Sequence, residues 1–489
     1  MGYPSLLYYK KPNKKPIGIN VFEDLQLLNF IPRSVAKSAS VPCGKENILC
    51  RQSFFKKLSE EDNRAKYEEL YDISDEIYSL DRAYAEASHE CEKTVIFFFL
   101  CSCFRRFIEK ASEADMSDPI SGRFSSAFKS EKDSSSFIKL CSDTDGLEGK
   151  AQMLLKAYLN ISGEKVKAQN DGEITFFERI NNCAKTLGLD TPKVKYTEEK
   201  RLSPDIISAV VKLYPEVYSS LVSFKKEHGS YYCHSVVYYR KELCFYLTML
   251  SFLDRIKEAN IPLIYPAVSE KRVINVKDAF DVSLLAKDEK NIIPNDILFN
   301  DEEPFFFLTG ANGGGKTTYL RTVGITVMLF LLGCPAPCKE AEIGDISSVF
   351  THFPRDERFD GSGRFVEENN RVNEILSSMD GSSLVLLNET YSTTNEENAV
   401  FMTERLANEL HAKNILGLYI THQHSLSNTD IPYLNVIIDR KDENRRTFKI
   451  AKQKSVGGSY AKDILEKCEL TLEALERRFG KLENGEEKI

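Results

Sequence analysis

Apolar and polar positions alternate differently in the two halves of the chain. Over 60–111, Leu70, Ile73, Ile77, Leu80, Tyr84 and Ala87 recur at steps of three and four, with Asp and Glu crowded between them. That stripe predicts a helix packed along another, either an ordinary bundle helix or a long lever. The run at 95–103, VIFFFLCSC, falls short of the ~18 apolar residues a bilayer span needs, and Arg105 and Arg106 follow it. It predicts a buried core helix. Residues 116–150 are polar and serine-rich, lowest at Ser134, Ser135 and Ser136, and read as a connector. Residues 166–177, VKAQNDGEITFF, predict a β-hairpin turning at Asn170, Asp171 and Gly172. Helical spacing returns over 204–257, where paired aromatics such as Tyr238 and Tyr239 read as core rather than as a base-stacking platform. Pro262 and Pro266 end it, and residues 1–55, rich in proline and lysine, read as an extended segment laid on a larger body.

Beyond 266 the period changes. Short apolar runs at 305–308, 383–387 and 415–421, with further strand patterns at 436–439 and 447–451, alternate with helical stretches, which points to an α/β arrangement. The nearly apolar stretch 319–332 predicts a helix beneath a sheet, ended by Gly333 and Pro335. The tail over 459–479 carries an apolar helical face, and 480–489 should fray. The expected division is an N-terminal segment (1–55), a helical domain with the hairpin (56–265) and an α/β domain with a C-terminal helical segment (266–489).

Composition narrows the class. A chain of 489 residues with 42 % hydrophobic and 28 % charged content is an ordinary soluble protein of two or three domains. Its net charge of -8 argues against a uniformly basic nucleic-acid binder, though not against local basic patches. The twelve cysteines form no ladder, and no targeting or membrane signal is visible. Reduced thiols in a cytoplasmic protein are expected, with a zinc role for Cys334 and Cys338 disfavoured.

The stretch 304–318, PFFFLTGANGGGKTT, carries the clearest chemistry. Gly310, Gly315, Lys316 and Thr317 fit the G-x-x-x-x-G-K-[ST] spacing of a phosphate-binding loop between a buried strand and a helix. Its glycines let successive backbone N–H groups face one oxyanion at a helix N-terminus. Lys316 suits the β/γ-phosphates, and the Thr317 hydroxyl suits a Mg²⁺ ligand position.

Several dispersed motifs, in order, make the half from 266 to 470 resemble the MutS family of DNA mismatch-repair ATPases. They are IPND at 293–296, TGANGGGKTTYLRT, GCPA with AEIG and FTH behind it, LLNET at 386–390 without the usual aspartate, Thr421-His422, and GSYA at 458–461.

 The resemblance implies an α/β P-loop (ABC/MutS-type) ATPase domain beside a mainly helical MutS core or lever domain with a small β-hairpin. Phe22, Glu23, Asp24 and Leu25 and the helices over 60–111 look like the start of that core in short bacterial MutS-like proteins. It also implies an ATP site built on Gly310, Ala311, Asn312, Gly313, Gly314, Gly315, Lys316, Thr317 and Thr318, with Ile292 against the base.

The family's roles carry over residue by residue. Glu389 would be the water-orienting base, the alternative being a surface acid after a strand; His422 would sense the γ-phosphate, the alternative being a satisfied histidine at a strand end. Lys316 would stabilise phosphate charge, and Thr317 and, through water, Asn388 would serve Mg²⁺. Ser362, Gly363, Arg364 and Thr394 would reach the nucleotide of a second copy in a homodimer, although Arg364 also reads as a solvated arginine. The departures matter equally. The usual Walker B aspartate is Asn388, which gives up a negative charge near the metal. A stacking aromatic is replaced by Ile292, and the N-terminal mismatch reader has no room here; Phe176, Phe177 and Glu178 only fit its letters. The resemblance therefore implies an ATP-dependent DNA damage sensor or related DNA-structure-associated ATPase. The rival readings are a nucleotide-binding interaction module with little turnover and an ABC-type ATPase acting on a protein partner.

Overall fold

The computed structural model describes residues 4–12, 15–114, 117–162, 165–170, 174, 176–188, 204–229, 231, 235–287, 289, 291–354, 364–391, 396–422, 426, 429–438 and 446–452. They form a mixed helical and α/β chain in two units: 1–19, 28–258 and 330–335 make one, and 20–27, 259–329 and 336–489 the other.

The first unit is helical because its apolar residues repeat at three and four. Short helices α1 (Ile19–Asp24, most of it belonging to the other unit), α2 (Arg33–Ala39) and α3 (Lys45–Leu58) open the chain. From Ile19 onward the N-terminal segment is thus mostly helical rather than extended. The stripe over 60–111 becomes two helices, α4 (Glu61–Glu86) and α5 (Glu90–Ser112), packed along each other, with Leu70, Ile73, Ile77 and Leu80 buried. The apolar run at 95–103 lies wholly inside α5, and no helix among the described residues is long and apolar enough to cross a membrane.

The expected connector at 116–150 is instead α6 (Pro119–Lys132) and α7 (Ser135–Leu155). Asp118 caps the first, accepting from Ile120 N and Ser121 N, and Ser134 caps the second, accepting from Phe137 N. Phe124, Phe128, Phe137 and Leu140 are buried at helical spacing, so a few large side chains outweigh the serines. The hairpin also sits earlier than expected: β1 (Ala157–Ser162) pairs antiparallel with β2 (Lys165–Asn170), and Phe176 starts helix α8 (Phe176–Thr186). Helices α9 (Pro204–Leu213), α10 (Pro215–His228) and α11 (Ser235–Glu258) complete the unit. Fully buried Arg51 ties its N-terminal residues down. Its Nε donates to Leu7 O at 2.7 Å, and its guanidinium lies over the Tyr8 and Phe245 rings.

The second unit is built on continuous apolar strands. Its four-stranded sheet contains β3 (Ala267–Ser269), β4 (Val273–Ala279), β5 (Asn295–Phe299) and β7 (Glu340–Gly344), in the order β3-β7-β4-β5. The six-stranded sheet contains β6 (Phe305–Thr309), β8 (Ser348–His352), β9 (Ser383–Asn388), β10 (Leu416–Ile420), β11 (Tyr433–Ile438) and β12 (Arg446–Lys452). Its order is β12-β11-β6-β10-β9-β8, parallel throughout except for β12 at one edge. Every residue of β6, β9 and β10 is buried, as expected of strands covered on both faces.

Helices α12 (Lys316–Leu331), α13 (Arg364–Ser378) and α14 (Glu396–Ala412) follow β6, β8 and β9. Phe305, Phe307, Val385, Leu387 and Tyr419 pack with Val372 and Ile375 of α13 and Leu406 and Leu410 of α14. Residues 20–27 dock on this unit. A Cβ added to Gly324 of α12 would lie 2.4 Å from Leu25 Cδ2, so only glycine admits that leucine. Beside it, Thr351 Oγ1 donates to Asp24 Oδ2 at 2.6 Å and Arg321 Nε donates to Asp24 O at 3.2 Å.

Candidate functional site

The three central strands bring the candidate residues together at their C-terminal ends. Asn388 of β9 is level with Ile420 of β10, which is level with Leu308 of β6. One residue further on each strand come Glu389, Thr421 and Thr309, and the glycine-rich loop begins at Gly310. Gly310, Gly313 and Gly315 have φ of 128°, 70° and 95°, values that L side chains rarely adopt, so the loop's path depends on them.

Lys316, the first residue of α12, is 6 % exposed. Its Nζ donates to Gly310 O at 2.8 Å, Ala311 O at 3.2 Å and Asn312 Oδ1 at 3.4 Å. Burial holds its pKa below the ordinary lysine value, and the charge of Glu389 opposes that shift. Loop acceptors thus stand where an anion would otherwise neutralise the ammonium.

Glu389 follows β9 with φ of 50°, an uncommon conformation for a residue with a Cβ, and its N–H donates to Ile420 O at 3.0 Å. Its carboxylate accepts from His422 Nε2 at 2.7 Å. The sequence assigned these two residues separate tasks; the structure pairs them. The His422 hydrogen bond is the largest cause holding the Glu389 carboxyl below its ordinary range, with burial opposing and the charges of His422 and Lys316 assisting. Next to it, Thr390 Oγ1 lies 3.0 Å from buried His352 Nδ1, and Tyr419 Oη donates to Thr390 O at 2.9 Å. The carboxylate therefore stands on a fixed base.

Asn388 is 7 % exposed, and its Oδ1 has no hydrogen-bond partner among the described residues. A buried acceptor left open costs roughly 1–3 kcal/mol and fits a site completed by a donor, such as a water held on a metal ion. The hydroxyl of Thr317, the second residue of α12, is an oxygen of the kind Mg²⁺ takes. Ile292 is half-buried beside the segment that ends in Asn295. Tyr319 Oη donates to Asp296 O at 3.0 Å and ties that segment to α12.

Of the residues expected to act on a second copy, Ser362, Gly363 and Thr394 lie outside the described residues, and Arg364 is described only as the first residue of α13. The closing GSYA stretch also lies outside them. Cys334 and Cys338 are buried free thiols, and burial pushes Cys338 up to about 12. No metal-type cluster of His, Cys, Asp and Glu occurs among the described residues. A cavity of about 1060 Å³ lies elsewhere in this unit, at the starts of β4, β9 and β10. Glu270, Arg272, Asp301, Asp345 and Asp380 line it, and no candidate site residue does.

The family model for MutS domain V matches residues 306–463, from β6 past β12, and so takes in the glycine-rich loop, Asn388, Glu389 and His422. The chain is 27 % identical over 248 residues to the DNA mismatch repair protein MutS of Caldanaerobacter subterraneus, and 28 % identical over 301 residues to that of Fervidobacterium nodosum. The chain belongs to the MutS family. Those matches cover 47 % and 60 % of this chain but only 28 % and 35 % of the relatives. A third match, to MutS of Chlorobium limicola, is 32 % identical over 158 residues and covers 32 % of this chain and 18 % of that protein.

Two residues beside the MutS-type loop escaped the sequence reading. Arg446 Nη1 donates to Gly313 O at 3.0 Å, and the Phe448 ring lies against Gly315. Both stand on β12, about 130 residues away in sequence. The available signal was the alternation of Arg446, Phe448 and Ile450 along one strand face.

Proposed function

We propose that this MutS-family chain binds ATP with Mg²⁺ at residues 310–318, hydrolyses it, and as a homodimer couples its nucleotide state to DNA engagement. The observation that carries the catalytic part is the Glu389–His422 pair, one strand away from the loop that holds Lys316. On ATP binding, Lys316 exchanges its loop acceptors for β/γ-phosphate oxygens, and the backbone N–H groups of the loop take the remaining charge. Glu389, already ionised, orients the attacking water for in-line displacement. His422 turns its Nε2–H from Glu389 toward the γ-phosphate, so the state of the pair reports occupancy. Thr317 and, through water, Asn388 would hold Mg²⁺, and the open Asn388 Oδ1 fits that role. Bound Mg²⁺ supplies neutralisation of the phosphate charge.

Ser362, Gly363, Arg364 and Thr394 act on the nucleotide of the second copy in this reading. The DNA part rests on relatives named as DNA mismatch repair proteins. A second reading, nucleotide binding with little turnover, is favoured by Asn388, which offers the metal a dipole in place of a charge.

The test is calorimetric ATP binding and Mg²⁺-dependent phosphate release by the purified chain, with its size measured with and without ATP. Binding, release and an ATP-dependent dimer are expected, and a chain that ignores ATP refutes the reading. For DNA, binding to duplex, branched and mismatched oligonucleotides across a salt series is expected to show equal affinity for paired and mispaired duplex. A clear mismatch preference contradicts that part.

A further inference from the structure

Glu389 stands in a stretch of backbone that its residue types do not favour. Its φ of 50° and the 66° of Tyr391 both lie in the left-handed region, where a bulky side chain is an outlier. Such conformations persist only where the surroundings over-determine them, and here one lies on each side of Thr390. The Glu389 N–H, given to Ile420 O, fixes the strand side of this stretch. Thr390 fixes the other.

Thr390 is buried and gripped from both neighbouring strands. β9 lies between β8 and β10, and Leu387 is level with His352 on one side and with Tyr419 on the other. Just beyond Leu387, the Thr390 hydroxyl lies 3.0 Å from His352 Nδ1, and the Thr390 carbonyl accepts from Tyr419 Oη at 2.9 Å. Tyr419 thereby gives its one hydroxyl proton to Thr390. Thr403 Oγ1, 3.1 Å from that phenol, must then donate to it. His352, Tyr419 and Thr403 are fully buried, so these groups are set against one another away from water.

A paired buried network of this kind adds little net stability, because apolar side chains of the same shape could replace it nearly neutrally. What it adds is a single fixed arrangement. With valine at 390 and phenylalanine at 419 the same space would be filled, and the segment 389–391 could relax out of the left-handed region. In this chain that relaxation breaks hydrogen bonds to two different strands. We infer that Thr390 is a positioning residue for the proposed reaction. Held between His352 and Tyr419, it keeps the Glu389 backbone in its strained conformation and so sets the direction in which the carboxylate meets His422 and the attacking water.

This inference rests on Glu389 acting on water in the proposed ATP site, and the experiment separates the two. Thr390→Val keeps the shape and removes the hydroxyl. It should lower kcat for ATP hydrolysis at least about tenfold, on the scale of a misdirected reacting group, while KM stays within about twofold. Thr390→Ser, which restores the hydroxyl, should recover turnover to within about threefold of wild type. The deciding measurement is the double variant in single-turnover phosphate release. Added to Glu389→Gln, Thr390→Val should lower the rate no further, because its effect passes through a carboxylate already absent. A merely structural threonine would lower the rate by the same factor in either background. Tyr419→Phe, which removes the other grip and keeps the ring, carries the same comparison if Thr390→Val does not fold. Equal factors in the two backgrounds, or a folded variant within about threefold of wild type, overturn the positioning role alone. A wild type without Mg²⁺-dependent turnover, or one whose turnover Glu389→Gln leaves unchanged, overturns the catalytic reading and the positioning role with it.

Discussion

Replacing Glu389 with glutamine separates the carboxylate's charge from its shape. In the structure the carboxylate accepts from His422 Nε2 at 2.7 Å, and a glutamine carbonyl can accept the same bond. The backbone at Glu389 is held by its own N–H to Ile420 O and needs no side-chain contribution. The substitution should therefore leave the loop, Lys316 and the strand ends in place. What disappears is the negative charge that orients water. General-base assistance contributes about 10²–10⁴-fold, so kcat should fall at least about a hundredfold, roughly 2.7 kcal/mol of barrier. ATP affinity should stay within about threefold, because the groups that hold the phosphates are untouched.

The assay is single-turnover phosphate release beside equilibrium ATP binding, with the oligomeric state followed by size. The expected outcome is a nucleotide-bound dimer that persists in the variant. The pH profile adds a second check. His422 keeps the Glu389 carboxyl below its ordinary range, so the base is ionised above that range, and activity should show no acid limb near pH 6 from this group. Turnover by Glu389→Gln within about threefold of wild type refutes the assignment.

Two further outcomes follow from buried polar groups. Asn388→Asp should raise turnover severalfold and lower the Mg²⁺ concentration for half-maximal rate, since it restores a charge at an acceptor with no partner among the described residues; unchanged rate and unchanged Mg²⁺ demand count against Asn388 as the brake. Asp281 is 1 % exposed, and burial pushes its carboxyl up to about 6, with the Ser283 backbone N–H and the Arg321 charge opposing. Because its pKa is higher folded than unfolded, its contribution is greatest at low pH and is lost as pH rises through about 6. Asp281→Asn should therefore gain stability relative to wild type by about 1–2 kcal/mol between pH 5 and 7.5 in urea unfolding; a difference that does not vary with pH contradicts the burial argument.

The parts of the fold legible in the sequence are those where one physical signal dominates. Continuous apolar runs identified β6, β9 and β10, because strands covered on both faces have no polar side to confuse the pattern. The glycines at 310, 313 and 315 and the lysine after them were legible because backbone geometry and charge both constrain the residue type. Residues 116–150 were misread because serine content was weighed above spacing: Asp118 and Ser134 were caps, and Phe124, Phe128 and Leu140 were the faces behind them. The hairpin was displaced for a related reason: Asn170, Asp171 and Gly172 spell a turn, yet Asn170 is the last residue of β2. Arg446 and Phe448 left only their alternation along one strand in the sequence, and it takes an antiparallel edge strand, running back beside β11, to bring them to the loop.

Asn388 is the exception that orders the rest of the site. The neighbouring charges are each answered within the chain: Lys316 by loop carbonyls, Glu389 by His422, and Arg446 by Gly313 O. Nucleotide binding is then an exchange of partners, in which each new hydrogen bond replaces one of similar strength and contributes a net of only about 0.5–1.5 kcal/mol. An aspartate at 388 would break that pattern, because a buried carboxylate without a metal carries an uncompensated charge, costing more than an open amide oxygen. Asparagine lowers the cost of the empty site and, by the same change, weakens the electrostatic pull on the metal. Turnover and the stability of the nucleotide-free state should therefore move in opposite directions when this one side chain is changed. Asn388→Asp should unfold at lower urea than wild type without nucleotide, and Mg²⁺ with ATP should restore most of the difference.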